Sequence, residues 1–341
     1  MKLVPPSLLV VVAAAAAPEA ALAHHSAARF DAQQTVSVEG TVTRYEWANP
    51  HVYIFVAAKA DDGTSVEWEI EGQPPAMLRR GGWSADTLLR GDAVRLSGNP
   101  ARSGAKVMSL TKLEKVVVLY DPQRMMAALA SSDQARVAKA SGFDGTWVTL
   151  LNMEAMQGFI APRLKLKLTE AGSAAVAAYD ERTMNPGASC IPYQAPGAIV
   201  APDIKRIAVE GSTILIAGEF DSFERIVHLN AASHEGVEPS LQGHSIGHFE
   251  DDGKTLVIDT AAFASSPTGN GFRLRSSAQK RLVETLALDA AGTGLVYTFE
   301  VTDPEVLVAP FKASVQWAYR PDLKFAPLPC NLENARRFTL E

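Results

Sequence analysis

The chain has 341 residues, 47% of them hydrophobic, and a net charge of −6. That is long enough for two domains of ~100–200 residues, each with its own core. The acidic balance and the lack of a Lys/Arg block exclude nucleic acid as an expected partner, because phosphate binding is driven by clustered cations.

Residues 1–23 read as a secretory signal peptide. Lys2 is a minimal basic region, residues 8–17 are an unbroken apolar run, and Ala21-Leu22-Ala23 is a small-x-small cleavage site. Cleavage after Ala23 predicts a periplasmic or secreted protein. The apolar run is shorter than the ~20 residues that cross a bilayer, and no second run approaches that length, so no transmembrane segment is expected in the mature chain. The two cysteines are Cys190 and Cys330. In an oxidising compartment such a pair predicts one disulfide.

Residues 35–47 alternate apolar and polar, the period of a strand wetted on one side. Gly40 in the middle predicts a bulge or sharp bend. Asn49-Pro50 marks a turn, residues 51–59 a second strand, Asp61-Asp62-Gly63 a hairpin turn, and residues 65–72 a third strand. Gln73-Pro74-Pro75 opens a helical piece that Gly81-Gly82 stops. Strands follow at 93–98 and within 106–118. Three strands, a helix and two strands is the order of an OB-like five-stranded barrel, here over residues 24–121. Met125, Met126, Leu129 and Val137 fall near helical spacing and predict a helical linker over 122–142.

The second domain, residues 143–341, opens with Gly145-Thr146-Trp147. Residues 163–169 alternate strictly and predict a strand, and Ala-rich 170–179 predicts a short helix. The Pro/Gly-rich stretch 185–202 predicts a loop. Strands then recur at 204–210, 213–220, 225–230, 245–250, 255–262, 280–289, 295–302 and 312–319. Short strands at regular spacing predict an antiparallel β-barrel or sandwich. The fold class is therefore mainly β, an OB-like barrel followed by a larger antiparallel barrel or sandwich. Gly145-x-Trp147 on the opening strand resembles the lipocalins and similar ligand barrels.

Two further resemblances rest on motifs. His24-His25-Ser26, Phe30-Asp31, Gly40-Thr41-Val42, Glu46-Trp47, Asn49-Pro50-His51, Leu78-Arg79-Arg80, Gly82-Trp83 and Gly91-Asp92 make residues 24–118 resemble a group of small exported bacterial proteins of unknown function. Cys190 with Pro192, Arg225-Ile226, Gly243-His244-Ser245-Ile246-Gly247, Asp259-Thr260, Asp303-Pro304 and Cys330 make residues 143–341 resemble a second exported group, also without a known activity. This chain departs from the second group at Ser276-Ser277 and Lys280-Arg281. Neither resemblance implies a substrate or cofactor.

Two sets of residues could carry chemistry. Processing would leave His24 at the amino terminus, where its α-amine, its ring and the His25 ring offer nitrogens to one metal. Such sets favour copper(II), and His51 could add a ligand. The second set is the His-rich stretch. His228, His234, His244 and His248 fall within 21 residues, with Arg225 beside the first and Asp259 on the next strand. Arg225, His228, His244, His248 and Asp259 are the candidate ligand-binding residues. His244 could instead only hold the Gly243–Gly247 turn. No nucleophile elbow, zinc-protease motif or phosphate loop is present. The leading expectation is an exported binding protein for a small molecule or a metal, the metal being copper at the mature amino terminus. The alternatives are a periplasmic enzyme using the His-rich segment for acid–base or metal chemistry, and a structural envelope protein.

Overall fold

The computed structural model describes residues 29–337 apart from 61, 115–117, 121–137, 220–221 and 272. The predicted signal peptide, His24, His25 and most of the predicted linker helix lie outside the described residues.

The first domain is the expected barrel. Its elements are β1 (Val36–Glu46), β2 (Tyr53–Lys59), β3 (Ser65–Glu71), α1 (Pro75–Arg80), β4 (Ala93–Pro100) and β5 (Val107–Glu114). Antiparallel pairs join β3, β2, β1, β4 and β5 in that order, and a parallel β3–β5 pair closes the ring. A short β6 (Val118–Tyr120) extends the edge of β5. Ile54 and Val56 of β2 point into a core with Val42, Ile70, Leu96, Met108 and Leu113. Gly40 pairs with Ala58 on one side and Val94 on the other. A Cβ there would lie 2.3 Å from the Ala57 carbonyl oxygen, so close backbone approach demands the glycine. The bulge expected at Gly40 falls further on, between Val42 and Arg44.

The second domain is a barrel rather than a sandwich. Its strands are β7 (Gly145–Thr149), β8 (Ile204–Glu210), β9 (Thr213–Gly218), β10 (Glu224–His228), β11 (His244–Glu250), β12 (Thr255–Ala261), β13 (Arg281–Leu288), β14 (Gly294–Thr302) and β15 (Phe311–Tyr319). Among the described residues these nine close into one ring. The sheet is not wholly antiparallel, because β10 and β11 run parallel through Val227–Ser245 and His228–Ile246. Parallel neighbours need a crossover, and residues 229–243 supply it. Trp147, Trp317, Tyr297, Phe299, Leu256, Ile258 and Leu286 lie buried together in the interior. β7 pairs with β8 on one side and, on the other, with the Trp317–Tyr319 end of β15. Helix α2 (Met153–Leu164) packs along β15 and sets Phe159 against Phe299 and Phe311.

Residues 163–169 are not a strand. Arg163 and Leu164 form the end of α2, and within 165–169 only Leu168 makes an isolated bridge, to Leu307. Leu166 and Leu168 pack on the barrel core while Lys165 and Lys167 face water, so burial on one side writes the alternation without a strand partner. Helix α3 (Glu170–Ala178) is present, capped by Thr169 Oγ1, which accepts from Gly172 N at 3.0 Å.

The stretch 185–202 is more than a loop. After a helical turn α4 (Glu181–Met184), it carries a second short helix, α5 (Gly197–Val200). Gln194, Ala195, Ala198 and Ile199 are buried, and Ile199 joins the barrel core, so this segment plugs one end of the barrel. Cys190 and Cys330 form the expected disulfide, with Cα atoms 5.7 Å apart.

The two barrels meet at that plugged end. Asn49 Nδ2 donates to the Glu219 and Leu328 carbonyls at 3.1 and 2.8 Å. Arg79 pairs with the Glu219 carboxylate, and Arg80 donates to the Pro202 and Thr149 carbonyls. From the short helix α6 (Leu332–Arg336), the chain returns to the first barrel. There Arg337 donates to Glu69 and Glu46 at 2.8 and 2.9 Å and lies over the Tyr53 and Phe55 rings. Among the described residues no helix is long and apolar enough to cross a membrane.

Candidate functional site

Strand parity sorts the candidate residues. On β10, Arg225 and Val227 point inward and His228 outward; on β13, Leu282, Glu284 and Leu286 point inward. Arg225 meets Glu284 inside the barrel, Nη1 to Oε2 at 2.6 Å and Nη2 to Oε1 at 3.0 Å. Tyr297 on β14 donates to Glu284 Oε1 at 2.7 Å and stacks on Trp317. Burial, then the Glu284 charge, push the Tyr297 hydroxyl well above its ordinary value. Burial opposes the Arg225 charge, and the Glu284 carboxylate outweighs it, so the guanidinium is held above its usual range.

Lys280, just before β13, extends this network towards the plug. It is fully buried and donates to the Ala195 carbonyl at 2.5 Å, the Gln194 side chain at 3.3 Å and the Gly269 carbonyl. Its nitrogen lies 4.1 Å from the Phe263 ring centre. Burial lowers its pKa to about 7, against the opposing pull of Glu284 and Asp303. Asp303 accepts from Asn270 Nδ2, Ser277 N and Ser277 Oγ at 2.8, 2.8 and 2.7 Å. Ser276 donates to Gln194 Oε1 at 3.0 Å. Of the positions at which this chain departs from the second resemblance, Ser276, Ser277 and Lys280 are thus knitted into one buried network, while Arg281 is exposed. A second buried lysine, Lys205, pairs with Asp203 and holds the Ala201 carbonyl at the other end of the plug.

The outer wall holds a separate group. His228, His244 and Asp259 take outward positions on β10, β11 and β12, and His234 folds back onto them from the crossover. The His228 and His244 rings stack with centroids 5.1 Å apart. His234 Nδ1 faces His244 Nδ1 at 3.0 Å, and His234 Nε2 lies 3.6 Å from Asp259 Oδ2. Arg281 grips Asp259 through Nε and Nη2 at 2.8 and 2.5 Å. Burial, then the neighbouring His234 and His228, lower the His244 pKa. His248 stands apart, exposed and paired with Glu250. Among the described residues no three His, Cys, Asp or Glu side chains are already set around one point as a metal centre.

In the first barrel, His51 Nδ1 lies 2.9 Å from the Gly72 carbonyl and 3.3 Å from Glu71 Oε1. With Nδ1–H donating there, Nε2 is the nitrogen left to bind a ligand. Sequence reasoning missed Glu284, Lys280 and Tyr297. Glu284 had a signal, a carboxylate at an apolar-phase position between Leu282 and Leu286.

Two linked β-barrels, the larger with an ionic network inside it, define the class of protein. The model of a family of unknown function (DUF6152) matches residues 10–110, which include most of the first barrel. No curated protein matches the chain. Among solved structures, two crystal structures of asparaginyl-tRNA synthetase from Pyrococcus horikoshii, one complexed with asparaginyl-adenylate, are each 13% identical over 67% of this chain. The TM-scores are 0.18, and the matches cover 48% and 50% of those synthetases, so this chain spans about half their length. A likeness that slight carries no argument about fold or activity.

Proposed function

We propose that the protein is an exported binding protein whose second barrel takes a small ligand at the Arg225–Glu284–Tyr297 network. The observation that carries this reading is the network itself. An ion pair inside a barrel costs several kcal/mol per ion in desolvation, and apolar residues of similar size are often at least as stable. A barrel built only to stand would have little use for it. Small-molecule sites combine apolar and aromatic walls with a few placed polar groups, which is the composition around Trp317, Tyr297 and Arg225. The disulfide and the apolar leader support export. Native mass spectrometry of the exported full chain tests the reading. The wild type should carry a non-covalent mass excess that an Arg225→Met/Glu284→Gln variant lacks. Equal masses above the two polypeptides would contradict it.

Lys280 favours an enzymatic second reading. A buried amine with a pKa near 7 is suited to proton transfer at neutral pH. Its three acceptors equally suit a bolt that holds the plug. Turnover surviving Lys280→Met would exclude the catalytic role.

Copper(II) at a processed amino terminus is a separate proposal, drawn from His24, His25 and the Nε2 of His51. One residue added before His24 should weaken copper(II) binding sharply; equal binding by the extended and native termini would remove the amine from the site.

A further inference from the structure

The outer wall of the second barrel carries a group of side chains that the interior network does not use. We infer that His234, His244 and His228 form a binding site for one divalent late transition-metal ion of the zinc(II) type, with Asp259 and Arg281 orienting the ligands.

Two donors are already in place. His234 Nδ1 and His244 Nδ1 face each other at 3.0 Å. Two nitrogens bound to one tetrahedral zinc(II) at ~2.0–2.1 Å lie ~3.3–3.4 Å apart, so an ion needs the pair to open by only a few tenths of an ångström. In the ion-free pair one Nδ1–H donates to the other Nδ1. An ion replaces that proton and leaves both rings protonated at Nε2.

The tautomer change completes the surroundings. His234 Nε2 is buried and has no hydrogen-bond partner within normal reach, while Asp259 Oδ2 stands 3.6 Å away. Once Nε2 carries the proton, a small approach makes it a donor to Asp259, which Arg281 holds through two contacts. A carboxylate behind a ligating histidine fixes the ring and raises its basicity. His228 is the third donor. Its ring stacks on His244 from the adjacent strand, and rotation about its side-chain bonds swings a nitrogen towards the pair. His248 lies on the same face of β11, but four residues along, at ~13 Å, and cannot reach the same ion.

Cobalt(II) titration of the full chain, with zinc(II) displacement, tests the site. One cobalt(II) per chain should bind with the visible spectrum of a four-coordinate ion, and zinc(II) should displace it. His234→Ala and His244→Ala should each weaken binding by more than ~10-fold, and Asp259→Asn by roughly 10–100-fold, the usual range for a group behind a ligand. His248→Ala should bind like the wild type, as should a chain extended before His24, which separates this site from the proposed amino-terminal one. Circular dichroism identifies any variant that fails to fold. Absence of saturable binding, a six-coordinate spectrum, or wild-type affinity in a folded His234, His244 or Asp259 variant would overturn the site.

Discussion

Arg225 and Glu284 face each other across the interior of the second barrel, joined by two hydrogen bonds of 2.6 and 3.0 Å, with side chains 1% and 0% exposed. Strands β10 and β13 are not neighbours in the sheet, so the pair spans the barrel rather than a ladder. Tyr297 satisfies a further lone pair of the carboxylate.

That arrangement predicts strong non-additivity. Glu284→Ala alone should destabilise the protein by ~3–5 kcal/mol, because it leaves a buried guanidinium unpaired. Arg225→Met/Glu284→Gln should cost much less than the sum of the single changes. Urea unfolding of the wild type, both singles and the double measures this. Additive losses would mean that the two groups do not depend on each other.

Lys280 makes stability depend on pH. Its folded pKa of about 7 lies below the ordinary 10.5, so between those values the unfolded chain binds a proton that the folded chain does not. Stability must therefore rise with pH across that window, by up to ~1.4 kcal/mol per pH unit for one proton. The cost of holding the charge in the fold is fully present below pH 7. Lys280→Met should flatten this part of the profile, as followed by urea midpoints from pH 7 to 10.

The Cys190–Cys330 disulfide closes a loop of 140 residues. Chain-entropy arguments assign such a loop ~5 kcal/mol of stabilisation. Thiol labelling of the folded protein without reductant should find no free cysteine. Cys190→Ala/Cys330→Ala should lower the unfolding free energy by several kcal/mol, with the plug around Gln194 exchanging its amide hydrogens faster.

Gly243 positions the first histidine of β11. Its φ is +69°, and a Cβ there would lie 2.6 Å from the Ala261 carbonyl oxygen. Gly243→Ala should destabilise by about 1–3 kcal/mol and shift the His244 ring resonances in an NMR spectrum. Unchanged stability would show that the turn relaxes without strain.

Much of this architecture is written locally. The alternations of β1, β3, β12 and β13 are consequences of burying one face of a strand. Residues 163–169 carry the same pattern without a partner strand, because packing against a barrel end imposes the same period as a sheet. Parity also exposes a grouping error within reach of the sequence. Arg225 and His228 are three residues apart, so a strand sends them to opposite faces, one to the interior network and one to the outer wall. What parity cannot supply is which strands oppose each other across a closed ring. Lys280 therefore reads as an ordinary charged residue, and the apolar phase of Glu284 names no partner, until the barrel brings them to the plug and to Arg225. Asn49, Arg79 and Arg80, which help carry the first resemblance, dock the first barrel onto the second.

The central claim, that the second barrel binds a small ligand at its ionic network, is tested most directly by tryptophan fluorescence. Trp147 and Trp317 are buried in the interior. Titration of the full chain with an anionic anilinonaphthalene dye should quench their emission saturably with a single site. The folded Arg225→Met/Glu284→Gln variant should lose that site. Identical saturable quenching in both proteins, or non-saturable quenching in the wild type, would contradict the account.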